Sequence, residues 1–223
     1  MHSLIWGYVI CYTYLFSVIF GIGLLQKKFN FSIETSRKVI HTLIVFTWVF
    51  LYRFFWNDWQ IIIIPITFIV INALSYKFKL FKMIERDGNA ENHKGTIYFS
   101  IGITVLMGCA LVWQATIMET GIATFALCFG DGIAALVGSN AEHKYMIRKD
   151  KSLQGTLACA MGTVVGLTIF SWIMSYRIAP FAILFLSLET AILELVGYGL
   201  DNFSIIFGIY SSACLLKYMG ALL

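Results

Sequence analysis

Apolar residues run through this chain in long blocks, broken by short polar ones. A helix crosses a bilayer with about 20 apolar residues, or fewer where it is short or kinked. The blocks therefore predict eight helices, over about 3–25, 38–52, 59–76, 96–113, 116–138, 155–175, 178–197 and 203–221. Trp48, Trp56 and Trp59 gather around the turn between the second and third, where an aromatic belt belongs. The first block has no basic segment ahead of it and is long enough to span. It is expected to stay as a helix rather than to be removed as a signal.

Composition agrees with this pattern. Of 223 residues, 59% are hydrophobic and 13% charged, and the mean hydropathy is +0.81. That excludes an ordinary soluble domain and predicts an all-α, polytopic membrane protein. No polar stretch is long enough for a second, soluble domain, so residues 1–223 are expected to form one integral membrane domain. No nucleic-acid partner is expected, and a homo-oligomer is compatible with the sequence. Cys11, Cys109, Cys128, Cys159 and Cys214 all lie in apolar segments without a Cys-x-x-Cys, and read as small buried hydrophobes.

Charge adds a direction. The segments 26–38, 77–95 and 139–154 hold 13 of the 16 Lys and Arg; Arg53, Arg177 and Lys217 are the rest. Cytoplasmic loops carry the excess of basic residues. These segments, and the 198–202 turn, are thus predicted to face the cytoplasm, with the N-terminus outside.

One acidic residue interrupts the fifth block. Asp131 stands between Gly130 and Gly132. A carboxylate near a bilayer centre costs about 2.5–3.5 kcal/mol or more, which makes Asp131 a candidate functional group. The plainer alternative is a helix–helix hydrogen bond. Gly130, Ala134 and Gly138 share one helix face, as do Ala158, Gly162 and Gly166 on the next helix, and such small-residue faces let membrane helices approach. Asp131 lies about 100° round from that face. In the seventh block Glu189 and Glu194 are about 140° apart, on different faces. Glu194, Asp201 and Asn202 fall towards the same membrane side as Asp131. Three carboxylates and an amide are oxygen donors of the kind Mg²⁺ takes beside phosphate oxygens. The alternative for Glu194 and Asp201 is a solvated helix end.

Basic and hydroxyl groups stand nearby in sequence. Lys144, Lys151, Ser152, Gly155 and Thr156 form a basic, Gly-containing loop suited to phosphate. Lys94-Gly95 precedes a helix start, where backbone N–H groups suit an anion. Arg37, Lys38 and His41 begin the second helix; they suit either that anion or lipid headgroups. No Walker-type phosphate loop and no nucleophilic triad is present. Phosphoryl transfer, which asks for positioning, metal and positive charge, fits these parts best.

In this order the motifs resemble the CTP-dependent membrane lipid kinases (dolichol kinase, phytol kinase and CTP-using diacylglycerol kinase), a group distantly related to phosphatidate cytidylyltransferase. The motifs are Arg37-Lys38-x-x-His41, Lys94-Gly95-x-x-Tyr98, Gly130-Asp131-Gly132-x-Ala134-x-x-x-Gly138, Lys151-Ser152-x-x-Gly155-Thr156, Glu194 and Asp201-Asn202, over about 36–212. The sequence departs from the family at Thr96, and at Ser204, Ile205 and Ile206, where prolines are frequent.

The resemblance implies a Mg²⁺-dependent or other divalent-cation-dependent kinase that uses CTP to phosphorylate a lipid alcohol, either a prenol or diacylglycerol. Asp131, Glu194 and Lys151 would be catalytic. Asp131, Glu194, Asp201 and Asn202 would hold the metal. Lys94, Lys144, Lys151, Ser152, Gly155, Thr156, Arg37, Lys38 and His41 would bind the nucleotide. Two other readings remain: a cytidylyltransferase attacked at the α-phosphorus, and a transporter or scaffold. A transporter should show inverted repeats, which the two halves do not.

Overall fold

The computed structural model describes residues 2–78, 95–141, 144–148, 151–197 and 200–222. Among them the chain forms nine α-helices, two short 3₁₀ turns and one small hairpin. The helices are α1 (His2–Phe29), α2 (Ile33–Ile44), α3 (Phe46–Phe55), α4 (Ile63–Phe78), α5 (Gly95–Val112), α6 (Ile117–Asn140), α7 (Leu153–Met174), α8 (Pro180–Val196) and α9 (Asp201–Tyr218). Strands β1 (Met146–Arg148) and β2 (Lys151–Ser152) pair antiparallel ahead of α7.

The protein is an all-α membrane protein. Five spans among the described residues are long and apolar enough to cross a bilayer: Leu4–Phe29, Ile33–Phe55, Gly95–Val112, Ile117–Asn140 and Leu153–Met174. Trp59–Ser75 is a shorter apolar helix. α8, at 17 residues, carries Glu189 and Glu194; α9, at 18, carries Asp201 and Lys217.

Several boundaries differ from those the apolar blocks predict, each for a local reason. The second helix begins at Ile33, five residues early. Ser32 caps it by accepting a hydrogen bond from the Thr35 N–H at 3.0 Å, and Glu34 lies in its first turn. Both features favour a helix start but read as loop by polarity alone. That helix then breaks at Val45 into α2 and α3. The third predicted helix opens with a 3₁₀ turn over Trp59–Ile62, capped by Asp58. α9 begins at Asp201, so Asp201 and Asn202 are first-turn residues, where negative charge meets the positive end of the helix dipole. The 139–154 segment is not all loop, because it holds the β1–β2 hairpin. The Leu153 N–H donates to the Tyr145 carbonyl at 2.8 Å, and the Gln154 side chain accepts from the Tyr145 N–H at 3.1 Å.

The chain divides into two compact units, Met1–Ile117 and Met118–Leu223. In the first, α1 packs on α2 and α3, and α4 packs on α5. Tyr8, Tyr12 and Tyr14 of α1 are half-buried, and their hydroxyls donate to Gln60 Oε1, Thr67 Oγ1 and the Leu43 carbonyl, at 2.7–2.9 Å. Asn72 of α4 donates to Ser100 Oγ of α5 at 3.1 Å. Buried amphipathic side chains need such partners where no water competes.

In the second unit every residue of α6 from Glu119 to Gly132 is buried. α7 lies against α6 through small residues, as the spacing predicts. A Cβ at Gly162 would stand 2.6 Å from the Phe129 carbonyl oxygen, and one at Gly166 2.7 Å from Phe129 Cβ. Farther along, a Cβ at Gly138 would lie 3.3 Å from Gly155 Cα. Backbones this close exclude side chains and maximise dispersion contact, which drives helix association in lipid. At the start of α6, the fully buried carboxylate of Glu119 accepts from Tyr176 Oη and Lys217 Nζ at 3.1 Å each, tying α6 to the α7–α8 turn and the end of α9. Outward faces of α7 and α8 carry Leu157, Met161, Val165, Phe181, Leu184, Leu188 and Ile192, all exposed. Apolar residues facing outward are the expected surface of a protein solvated by lipid.

Candidate functional site

The chemistry-bearing side chains of the second unit converge where α6, α8, α9 and β2 meet. Asp131, one position past the tight Gly130 contact, leaves the α6–α7 seam. Gly130 itself faces α7 and α8, since a Cβ there would lie 2.7 Å from Thr163 Oγ1 and 3.0 Å from Thr190 Cγ2. Glu194 sits in the last turn of α8 and Asp201 in the first turn of α9. Each of the three carboxylates offers an oxygen, and those oxygens all lie within 4.8 Å of one another. Asp131 is 7% exposed and Glu194 4%.

Lys151 reaches into this cluster from β2. Its ammonium donates to Glu194 Oε1 and, at 3.1 Å, to Asp201 Oδ2. Burial pulls the Lys151 pKa down, but the Asp201 and Glu194 carboxylates outweigh it, so the group lies above the ordinary lysine value and stays charged. Glu194 Oε2 is buried and makes no hydrogen bond among the described residues. A buried carboxylate oxygen without a donor is costly, and a cation that accepts more than one oxygen ligand would relieve it. Asn202 follows Asp201 in the same first turn, half-buried. The donor set is all oxygen, which suits a hard divalent cation such as Mg²⁺ or Mn²⁺.

The other residues of the predicted phosphate loop take varied places. Ser152 is the N-cap of α7, and its Oγ accepts from the Gly155 N–H at 3.2 Å. Gly155 is buried against the end of α6, so both residues first of all build the α6–α7 approach. Thr156 follows in the first turn with a buried Oγ1 that has no hydrogen bond among the described residues. Lys144 is exposed and donates to the Ser139 carbonyl at 2.9 Å, beyond the end of the α6 apolar run.

Arg148 of β1 has no motif spacing that marks it in the sequence. Its Nη1 donates to the Leu195 carbonyl at 2.9 Å. Leu195 follows Glu194, so this bond pins the hairpin to the turn that presents the carboxylate. The signal for it in sequence is only one more basic residue in a basic loop.

Arg37, Lys38 and His41 belong to the first unit. Arg37 pairs with Glu34 at 2.6 Å, and a Cβ at Gly95 would lie 3.6 Å from its Nη1, so the guanidinium stands beside the first residue of α5. Lys38 is buried, and the His41 ring packs on Phe99 with centroids 4.4 Å apart. Lys94, the remaining predicted phosphate ligand, lies outside the described residues.

No family model, curated protein or solved structure matches this chain.

Proposed function

We propose that this protein is a membrane lipid-alcohol kinase that transfers the γ-phosphoryl group of CTP with a divalent cation. The observation that carries the reading is the convergence of Asp131, Glu194 and Asp201 from three helices, with Lys151 among them, at one end of a lipid-solvated unit. The resemblance of the ordered motifs to the CTP-dependent lipid kinases supplies nucleotide and acceptor. A membrane protein with a prenol or diacylglycerol acceptor needs an acidic, cation-neutralised centre near the interface, where a soluble nucleotide and a lipid hydroxyl can both arrive.

In this reading the chain spans eight times, its N-terminus lies outside and the site faces the cytoplasm, as the basic segments indicate. Asp131, Glu194, Asp201 and Asn202 would hold Mg²⁺, and the ion when bound would neutralise charge on the transferring phosphates. Lys151 and Lys144 add positive charge along the phosphate chain. Ser152 and Thr156 offer hydroxyl donors. The lipid alcohol oxygen forms its bond to the γ-phosphorus as the bond to the β,γ-bridging oxygen breaks. CDP leaves, and Asp131 takes the alcohol proton.

Purified protein given CTP labelled at the γ-phosphate or in the base decides the matter. With long prenols, phytol-like alcohols and diacylglycerol as acceptors, the γ label is expected in the organic phase and the base label in water. Base label in the lipid, with phosphatidic acid supplied, would identify a cytidylyltransferase instead. No transfer to any acceptor would overturn the enzyme reading.

A further inference from the structure

Lys151 stands where a cation would be wanted. Its ammonium bonds two of the three clustered carboxylates, Glu194 and Asp201, and its side chain is only 15% exposed. It is held there by its own backbone. β2 is two residues long, pairs with β1, and leads directly into the capped start of α7. The hairpin is in turn fastened to α8 by Arg148 on the Leu195 carbonyl. The lysine is therefore aimed at the carboxylates by a built frame, and is not a surface side chain that has drifted onto an acidic patch.

A divalent cation bound through Glu194 and Asp201 would stand within a few ångströms of this ammonium. Like charges that close repel, and a divalent ion repels an ammonium about twice as strongly as a monovalent one at the same distance. Ammonium and metal cannot both keep these oxygens. The flexible four-carbon stem of lysine lets the ammonium leave, provided that another anion receives it. A phosphate chain drawn in by the metal is such an anion.

We propose that Lys151 is the site's own counter-ion, holding Glu194 and Asp201 until a divalent cation and a nucleotide phosphate chain displace it together. The proposal rests on the metal–phosphate reading of the site and adds an order to it. Metal alone binds weakly because it must expel the ammonium into a place without a partner. Metal with nucleotide binds tightly because the ammonium moves onto phosphate. By linkage the coupling is reciprocal, so metal tightens nucleotide binding by the same factor.

Amine reactivity reads the position of Lys151 in the intact protein, without turnover. The protein in detergent is pulsed with an acylating reagent, and Lys151 is scored by mass spectrometry against exposed Lys27, which has no part in the site. In chelator, Lys151 should react at least about tenfold more slowly than Lys27, as a largely buried, ion-paired amine does. Saturating Mn²⁺ alone should raise its reactivity severalfold, and Mn²⁺ with a non-transferable CTP analogue should protect it again. Mn²⁺ binding followed by spin resonance supplies the second arm. K151Q should bind Mn²⁺ about tenfold more tightly than wild type without nucleotide, and should gain less from the analogue.

If Mn²⁺ binds in an Asp131-dependent way but leaves Lys151 protected, the counter-ion proposal fails and the metal site stands. If Mn²⁺ does not bind with or without the analogue, the underlying reading of the site fails, and the proposal with it.

Discussion

At the scale of single residues, the proposed centre is defined by Asp131, Glu194 and Asp201, whose oxygens lie within 4.8 Å of one another. Asp131→Asn keeps the shape and removes one negative charge. It is expected to reduce γ-phosphoryl transfer by at least about a thousandfold, or roughly 4 kcal/mol of transition-state stabilisation, while the protein still inserts and purifies. Near-normal turnover of the purified variant would remove Asp131 from the site. Lys151 carries a separate pH signature. Its folded pKa is raised, so its pairing stabilises the protein fully below the ordinary lysine value of 10.5 and loses that contribution as pH rises through the higher folded value. Lys151→Met should therefore melt lower than wild type in chelator across pH 7–9, and the gap should close only above about pH 10.5. A gap that closed near neutral pH would show that the lysine is not held by its carboxylates.

At the scale of elements, the site depends on how closely α6 and α7 approach. Gly162 faces a backbone carbonyl, which cannot move aside as a side-chain tip can. Gly162→Ala is expected to cost about 1–3 kcal/mol by overpacking and to displace Asp131 with α6, lowering both stability and activity. Gly108 of α5 has open space around it, so Gly108→Ala is the matched control and should be neutral or slightly stabilising. Equal melting of the two variants would mean that the α6–α7 seam tolerates a methyl group and is not the constraint described. The hairpin works at this scale too, because β1 carries Arg148 to the Leu195 carbonyl and β2 carries Lys151 to the Glu194 carboxylate.

At the scale of the whole molecule, the distribution of basic residues carries the proposal that the N-terminus lies outside. With the five cysteines replaced, a single cysteine at Ala141 should react with a membrane-impermeant reagent only after the cells are opened. Labelling from outside would reverse the topology and remove cytoplasmic CTP as a substrate. Glu119, buried with Tyr176 and Lys217 at the far end of α6 from Asp131, closes the second unit at that end. It leaves the acidic centre as one end of a helix bundle stapled at the other.

The sequence by itself determined what depends on local solvation. Long apolar runs must become helices in lipid, because every backbone polar group has to be satisfied within its own segment. Small residues spaced four apart had to mark a close seam, and Asp131, Glu194 and Asp201 stood out because charge among apolar residues is costly. Helix ends were legible only in part: Ser32, Ser152 and Asp201 start helices through capping and dipole effects that polarity alone reads as loop. Tertiary structure decided what those groups do to one another. Lys151 meets Glu194 and Asp201 across 43 and 50 residues of chain, and Arg148 meets Leu195 across 47. Spacing in sequence carries no information at such separations. Only the packing of α6, α8 and α9, with the two-strand hairpin that aims the lysine, turns separate charges into one centre.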